Sequence, residues 1–270
     1  MDEVGTDEPA ARSAGRHDSH LPLIAIVTAI VALPLMALAA VVCAVIPGVP
    51  WWVGIPVGLA VAAVLVAQRV RGAYGRLLAA LGAVPVDPDE FARYHNIVQG
   101  LSLAASVGEP DVYIVDDPGR NAAAVAYGPS TAVVATTGLL AAVDRIALEA
   151  VVAECLVRLG SGDAEAATLG ATLFSPLRGG PLAPVAALGL GRLLAEDRDL
   201  RADRAAVAIT RYPPGLSSAL AAINAGPARV QRAPAHLDHV WLVPPSSLEA
   251  VGDPADTPGL TVRMDVLGEL

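Results

Sequence analysis

Residues 21–46 read LPLIAIVTAIVALPLMALAAVVCAVI, a run of 26 residues without a charged side chain. At about 1.5 Å per residue, a helix of this length exceeds the roughly 30 Å hydrocarbon core of a bilayer. The run is too long for the apolar core of a signal peptide. The polar residues 1–20 before it are mixed in charge and predict a disordered tail. The stretch therefore predicts a membrane-spanning helix.

A second apolar run, residues 53–67, follows after a short turn. Pro47-Gly-Val-Pro50 is typical of a turn, and Trp51 and Trp52 suit an aromatic belt at the membrane interface. Two uncharged runs joined so closely favour a transmembrane helical hairpin over residues 21–71 rather than two buried core helices. Arginines flank both outer ends and none lies in the turn, so we expect a multi-pass protein of the cell membrane with a cytoplasmic main domain.

The composition excludes one broad class of partner. Apolar residues make up 54% of the chain and charged residues only 17%, and the formal net charge is −9. Sequence-independent binding of nucleic acid depends on clustered cations that neutralise phosphates. We therefore expect no nucleic-acid partner, and the lipid bilayer is the first partner that the sequence indicates.

Residues 72–270 carry the pattern of a mixed α+β domain. Helical spacing of apolar residues alternates with short apolar runs that are bounded by turn residues. The predicted elements are two helices within 72–106 that are separated at Pro85–Pro88, strands at 111–115, 121–127 and 132–137, and a helix from Leu140 to Leu159.

The apolar stretch 168–194 is a weaker candidate for the membrane. Its middle contains Arg178, the pair Gly179-Gly180 and Pro181. Neither half then reaches the roughly 20 apolar residues that a span requires. We expect it not to span, with a re-entrant or surface-lying segment as the alternative.

Several landmarks of this domain occur in an order typical of one family. They are Pro110-Asp-Val-Tyr-Ile-Val-Asp116, Asn121-Ala-Ala-Ala124, Ala132-Val-Val-Ala-Thr-Thr-Gly-Leu-Leu140, Leu148-Glu-Ala-Val-Val-Ala153, Ala202-Asp203 and Arg263-Met-Asp-Val-Leu267. In this succession the chain, from about residue 21 onward, resembles the HtpX-like family of membrane zinc metallopeptidases. The resemblance implies a mainly helical, zincin-like domain with a small β-sheet behind the hairpin.

The sequence departs from the family at the chemistry. In H-E-x-x-H, two histidines one helical turn apart bind zinc, and the glutamate activates the metal-bound water. The resemblance places Glu154 and Arg158 at the histidine positions and Cys155 at the glutamate position. It places Asp199 at the third ligand and Thr257-Pro258 where the family has His-Pro. Because a guanidinium only donates and stays charged, we expect no metal and no cofactor at these positions.

An internal ion cluster is the predicted replacement for zinc. Glu154 and Arg158 lie four residues apart in the favourable orientation on one helix, and the resemblance implies that Asp199 faces them. The guanidinium of Arg158 would then bridge two carboxylates. The alternative is that Glu154 and Arg158 lie on a solvated helix face.

Cys155 is a poor general base, since a free thiol titrates near ~8.5 and its thiolate prefers metals or carbon. As a nucleophile it would need one of His95, His236 or His239, and no motif links them to it. A buried structural cysteine is the preferred interpretation. His236 and His239 are spaced as a metal pair on a helix could be, but a solvated loop is the simpler interpretation.

The leading hypothesis is therefore a catalytically inactive, membrane-anchored HtpX-like protein with a binding or regulatory role. The resemblance implies that the strand of Asn121, Ala122 and Ala123 binds an extended polypeptide, and strand addition needs no zinc. A membrane protein is the other partner that we expect. The alternative is an active metallopeptidase that binds zinc through another set, such as Glu154, Asp199 and a C-terminal histidine. A purely structural membrane protein is a third hypothesis.

Overall fold

The protein is described from a computed structural model, which covers residues 21–174, 183–194, 197–226, 230–231, 234–248 and 258–270. The chain divides into two compact units, Met1–Ala73 and Tyr74–Leu270. The predicted tail, residues 1–20, lies outside the described residues.

The first unit is a pair of packed helices. Helix α1 covers Leu21–Val45 and helix α2 covers Gly54–Arg71, with a 3-10 turn at Trp51–Val53 between them. Both helices are long and apolar enough to cross a membrane, over Val27–Val45 and Trp51–Arg71. The two predicted apolar helices are confirmed.

Small residues allow α1 and α2 to approach closely. Gly54, Gly58 and Ala62 recur every four residues on one buried face of α2. A methyl group added at Gly58 would lie 2.5 Å from the Cα atom of Met36, which is too close for any side chain. Such a small-residue stripe is typical of helix pairs in lipid. The larger side chains point outward and are 41–54% exposed: Ile55, Val57, Leu59, Val61, Val64 and Leu65.

The second unit is mainly helical and contains one four-stranded sheet. Its helices are α3 (Ala73–Leu81), α4 (Ala92–Ala104), α5 (Thr137–Ala142), α6 (Arg145–Ser161), α7 (Asp163–Phe174), α8 (Ala183–Leu193), α9 (Arg198–Thr210), α10 (Pro213–Asn224) and α11 (Pro258–Gly268). Its strands are β1 (Val84–Pro85), β2 (Asp111–Val115), β3 (Ala122–Tyr127) and β4 (Ser130–Thr136). Short 3-10 helices cover Ala235–Val240 and Pro245–Leu248.

The sheet has the order β1-β2-β4-β3 and is mixed. Strands β2 and β4 are parallel, whereas β1 and β3 each run antiparallel to their neighbour. The three predicted strands are confirmed. Strand β1 was not predicted, because two residues that include Pro85 show no periodicity, and proline is tolerated only at a sheet edge. Both faces of β3 are buried, and its side chains are mostly methyl groups.

Helix α6 lies at the centre of this unit. The Asp144 side chain caps its first turn by accepting from Ala147 N at 2.8 Å, and Gly162 ends it with a φ of 89°. The predicted single helix from Leu140 to Leu159 is therefore two helices, α5 and α6, because the chain is extended at Val143 and Asp144. Helix α6 contacts α4, α9, α10 and β3, so most of its side chains are buried.

The stretch 168–194 forms the end of α7 and the whole of α8. These helices have 12 and 11 residues, too few to span a bilayer. In the part of the chain that the structure describes, both candidate spans belong to the first unit. Arg178, Gly179, Gly180 and Pro181 lie outside the described residues.

Candidate functional site

Charged side chains from three helices meet inside the second unit. Helix α6 supplies Glu154 and Arg158, helix α9 supplies Asp199 and Asp203, and helix α11 supplies Arg263. The pairs on α6 and α9 are four residues apart, so each pair lies on one side of its helix. The structure thus brings together the three positions that the resemblance singled out, and adds two residues to them.

Arg158 lies between two carboxylates, as predicted. Its Nη2 atom donates to Glu154 Oε1 at 2.6 Å and lies 3.0 Å from Asp199 Oδ1. The second contact is ionic rather than hydrogen-bonded, because no N–H is well aligned with Asp199 Oδ1. The side chains of Glu154 and Arg158 are 0% and 6% exposed. The solvated-face alternative is therefore wrong, although Asp199, at 30% exposed, lies at the rim.

Arg263 contacts two carboxylates of the cluster, although no role was predicted for it. Its Nε and Nη2 atoms donate to the two oxygens of Asp203 at 2.7 and 2.6 Å, a bidentate pair. Nη2 also donates to Glu154 Oε1 at 3.0 Å. No local spacing links these residues, since Arg263 is 109 residues from Glu154. The signal for its role was its position in the C-terminal landmark Arg263-Met-Asp-Val-Leu267.

The cluster is balanced in charge and extends to main-chain groups. Arg198 joins it through an ion pair of 3.3 Å with Asp199 and donates to the His239 carbonyl at 2.8 Å. Arg263 Nη1 donates to the Leu242 carbonyl at 3.0 Å, and Arg158 Nη2 lies 3.5 Å from the same oxygen. The cluster holds three guanidinium groups (Arg158, Arg198, Arg263) and three carboxylates (Glu154, Asp199, Asp203).

The Glu154 carboxyl group is strongly affected by its burial. Burial raises its pKa from 4.5 to about 7, although Arg263 and Arg158 act in the opposite direction. Its Oε2 atom is buried and has no hydrogen-bond partner among the described residues. Both arginine contacts are made to Oε1. A proton on Oε2 would therefore neutralise the carboxylate at the oxygen that the arginines do not contact.

The Glu154 carboxyl makes the protein less stable as the pH rises from 4.5 to about 7. Its pKa is higher in the folded than in the unfolded state, so the folded state binds more protons in this window and loses stability as they leave. Glu154→Gln keeps the shape but cannot titrate. Urea unfolding at both ends of the window should show wild type losing about 1 to 3 kcal/mol relative to the variant. A relative gain would contradict the prediction.

Cys155 adjoins the cluster in sequence but faces the apolar core. It is fully buried, and burial raises the pKa of its thiol to about 12, with the neighbouring Glu154 acting in the same direction. The thiol is therefore protonated at neutral pH. Among the described residues it makes no hydrogen bond to a histidine. This environment supports the structural interpretation of Cys155 over a base or a nucleophile.

The candidate histidines lie apart from the thiol. His95 is on α4. His236 and His239 are half-buried on a 3-10 helix, so the prediction that they lie in a solvated loop is wrong. His239 Nε2 lies 3.1 Å from the Ala167 carbonyl. Thr257 lies outside the described residues, and Pro258 begins α11.

Ala122 and Ala123 begin the edge strand β3, and Asn121 directly precedes it. Asn121 is fully buried and accepts from Ala122 N at 3.0 Å. The outer edge of β3 is paired here with residues 241–243 of the same chain, which the sequence did not predict.

The donor set at the three family positions does not fit zinc. Two guanidinium groups lie within 3.0 Å of Glu154 Oε1, and they bring positive charge and no lone pairs to the place where a metal would need ligands. The Oε2 atom of Glu154 has no hydrogen-bond partner among the described residues, but it would be only one ligand atom for a metal. Within the described ranges, no three His, Cys, Asp or Glu side chains are grouped so as to hold a metal ion.

The chain is similar to curated relatives called "Protease HtpX homolog". It is 32% identical over 188 residues to that of Dictyoglomus thermophilum, covering 58% of this chain and 62% of the relative. It is 30% identical over 203 residues to that of Tropheryma whipplei, covering 63% of this chain and 70% of the relative. A shorter match, 40% identical over 87 residues, joins it to that of Caldanaerobacter subterraneus.

The first of these matches leaves part of the relative uncovered, since the chain spans less than two thirds of its length. No family model and no solved structure matches the chain. The identity and coverage of the Tropheryma whipplei relative, together with the order of the strands, the central helix α6 and the helix α9 that carries Asp199 and Asp203, are sufficient to assign a family. The chain belongs to the HtpX family of protease homologues.

Proposed function

We propose that this chain is a membrane-anchored, catalytically inactive member of the HtpX family with a binding or regulatory role. The observation that carries the proposal is the position of Arg158, whose Nη2 lies 2.6 Å from Glu154 and 3.0 Å from Asp199. Peptide hydrolysis by a zinc site needs lone-pair donors and a base next to the metal. The three family ligand positions hold a bridged ion cluster, and Cys155 at the base position is a buried, protonated thiol.

The rest of the proposal concerns scaffold and location. The edge strand β3, the central helix α6 and the helix α9 that carries Asp199 and Asp203 support a zincin-like scaffold that has kept its framework. The apolar hairpin supports anchoring in the cell membrane, and the arginines at its outer ends support a cytoplasmic second unit.

Elemental analysis of the full-length, detergent-purified protein tests the proposal. After dialysis against a weak chelator, wild type should carry no stoichiometric zinc. The double variant Glu154→His plus Arg158→His should take up about one zinc per chain, because it places two imidazoles one turn apart beside the Asp199 carboxylate. Near-UV circular dichroism checks that the variant is folded.

Helix α6 also offers a matched control. Arg145 and Glu149 form the same i,i+4 pair in its first turns, but the Arg145 side chain is 75% exposed. Replacing both by histidine should give no zinc that survives the dialysis. Stoichiometric zinc in wild type would contradict catalytic inactivity and favour an active metallopeptidase with a non-standard ligand set.

A further inference from the structure

A segment of the chain itself lies along the outer edge of β3. Trp241 forms an antiparallel bridge with Ala123, and Leu242 N donates to the Ala122 carbonyl at 2.8 Å. An uncovered edge strand presents a row of unpaired main-chain groups to which another strand can add. Trp241 therefore takes the place of one residue of an added strand, and the chain bends at the next two residues.

The polar contacts of this segment are made mainly to its main chain. Asn121 Nδ2 donates to the Val243 carbonyl at 2.6 Å, and Val243 N donates to Asn121 Oδ1 at 3.3 Å. The Leu242 carbonyl accepts from Arg263 at 3.0 Å. These contacts do not depend on the identity of the side chain at 242 or 243. The site therefore recognises main-chain groups of a peptide.

The side chains of the segment add an apolar requirement. Trp241, Leu242 and Val243 are at most 2% exposed. Trp241 packs in the apolar cluster on one face of the sheet, and Leu242 packs in the cluster on the other face beside α6. Val243 packs in the same cluster as Leu242, so the segment contacts both faces without a regular alternation. An occupant of this site must bring apolar side chains to both faces.

We propose that residues 241–243 are an internal ligand that closes a peptide-binding site, and that an apolar polypeptide segment binds there only by exchanging with them. The Leu242 carbonyl couples this exchange to the ion cluster, because displacement removes an acceptor from Arg263 and Arg158. The partner rests on the proposed binding role, but the internal strand does not. Stoichiometric zinc in the wild-type protein would contradict the proposed catalytic inactivity, but it would not contradict the proposal that residues 241–243 are an internal ligand.

The internal segment competes strongly with any peptide in solution. A tethered ligand acts at an effective concentration on the order of millimolar. A separate peptide should therefore bind wild type only near that concentration, and it should bind much better once the internal strand is weakened. This difference makes the exchange measurable.

Hydrogen exchange on the full-length protein in detergent tests the internal strand first. The Leu242 amide should exchange at least about a hundredfold more slowly than in an unfolded chain, because its N–H is paired and buried. A synthetic peptide with the sequence of residues 238–245, added at several millimolar, should remove that protection while the amides of α6 keep theirs. An unprotected Leu242 amide, or protection that the peptide leaves unchanged, would overturn the proposal.

A pair of variants isolates the main-chain contact. Leu242→Pro removes the N–H that donates to Ala122, whereas Leu242→Ala removes apolar volume and keeps that donor. The fluorescein-labelled peptide should bind Leu242→Pro about tenfold more tightly than wild type, with a smaller gain for Leu242→Ala. The same peptide with an N-methylated leucine at its fifth position should not bind.

Equal binding of the two peptides, or no gain in a folded Leu242→Pro protein, would contradict strand exchange. If Leu242→Pro does not fold, the wild-type exchange experiment decides alone.

Discussion

Replacing Arg263 by alanine should lower the free energy of unfolding by about 3 to 5 kcal/mol. The substitution leaves Asp203 and Glu154, which are 1% and 0% exposed, without the guanidinium that lies within 3.0 Å of both. Protonation of Glu154 offers partial relief, so the loss should be smaller below pH 7 than above it. Urea unfolding followed by the fluorescence of the buried Trp241 measures the effect.

Arg145→Ala is the matched control for this loss. Arg145 also pairs with a glutamate, Glu149, at 2.8 Å, but its side chain is 75% exposed. Such a pair contributes about 0.5 kcal/mol or less. If the cluster did not stabilise the fold, Arg263→Ala and Arg145→Ala would lower the free energy of unfolding by similar amounts. That result would remove the basis for the proposed function.

Asn121→Ala should cost about 2 to 4 kcal/mol of folding stability, the second-largest expected effect. The Asn121 amide is fully buried, and it pairs with both the N–H and the carbonyl of Val243 and with the N–H of Ala122. Alanine leaves these main-chain groups buried without a partner, at about 1 to 3 kcal/mol each when nothing relaxes. The same unfolding assay measures it.

Asn96→Ala is the control, because Asn96 lies exposed on α4. Its stability should stay within about 0.5 kcal/mol of wild type. If Asn121→Ala were equally mild, residues 241–243 would not depend on this amide, and the closed edge of β3 would need another explanation.

The fold was predictable where a local pattern was strong. The apolar runs of the hairpin and the three strands from Asp111 to Thr136 depend on periodicity and turn residues, and both are present in the structure. Strand β1 is too short to show a period. The break between α5 and α6 was missed because Val143 continues the apolar pattern while Asp144 caps a new helix.

The site was predictable only in part, for the same reason. Glu154 and Arg158 are neighbours on one helix, and the resemblance supplied Asp199. The pairing of Arg263 with Asp203 joins residues 60 positions apart, and that of Asn121 with Val243 joins residues 122 apart. Contacts of this length leave no periodic trace in a single sequence. The segment around residues 241–243 is also rich in proline, so its contact with the edge of β3 could not be inferred.

The long span of these contacts has a consequence for the order of folding. Helix α6 and the sheet are assembled from residues that are near in sequence, whereas Arg263 must close a loop of 109 residues to reach Glu154. Until α11 docks, the Glu154 carboxyl has to remain hydrated or protonated, so α6 cannot become fully dry. Dehydration of the centre and docking of α11 should therefore occur in one late, slow step. A folding intermediate would have an assembled sheet and a wet core.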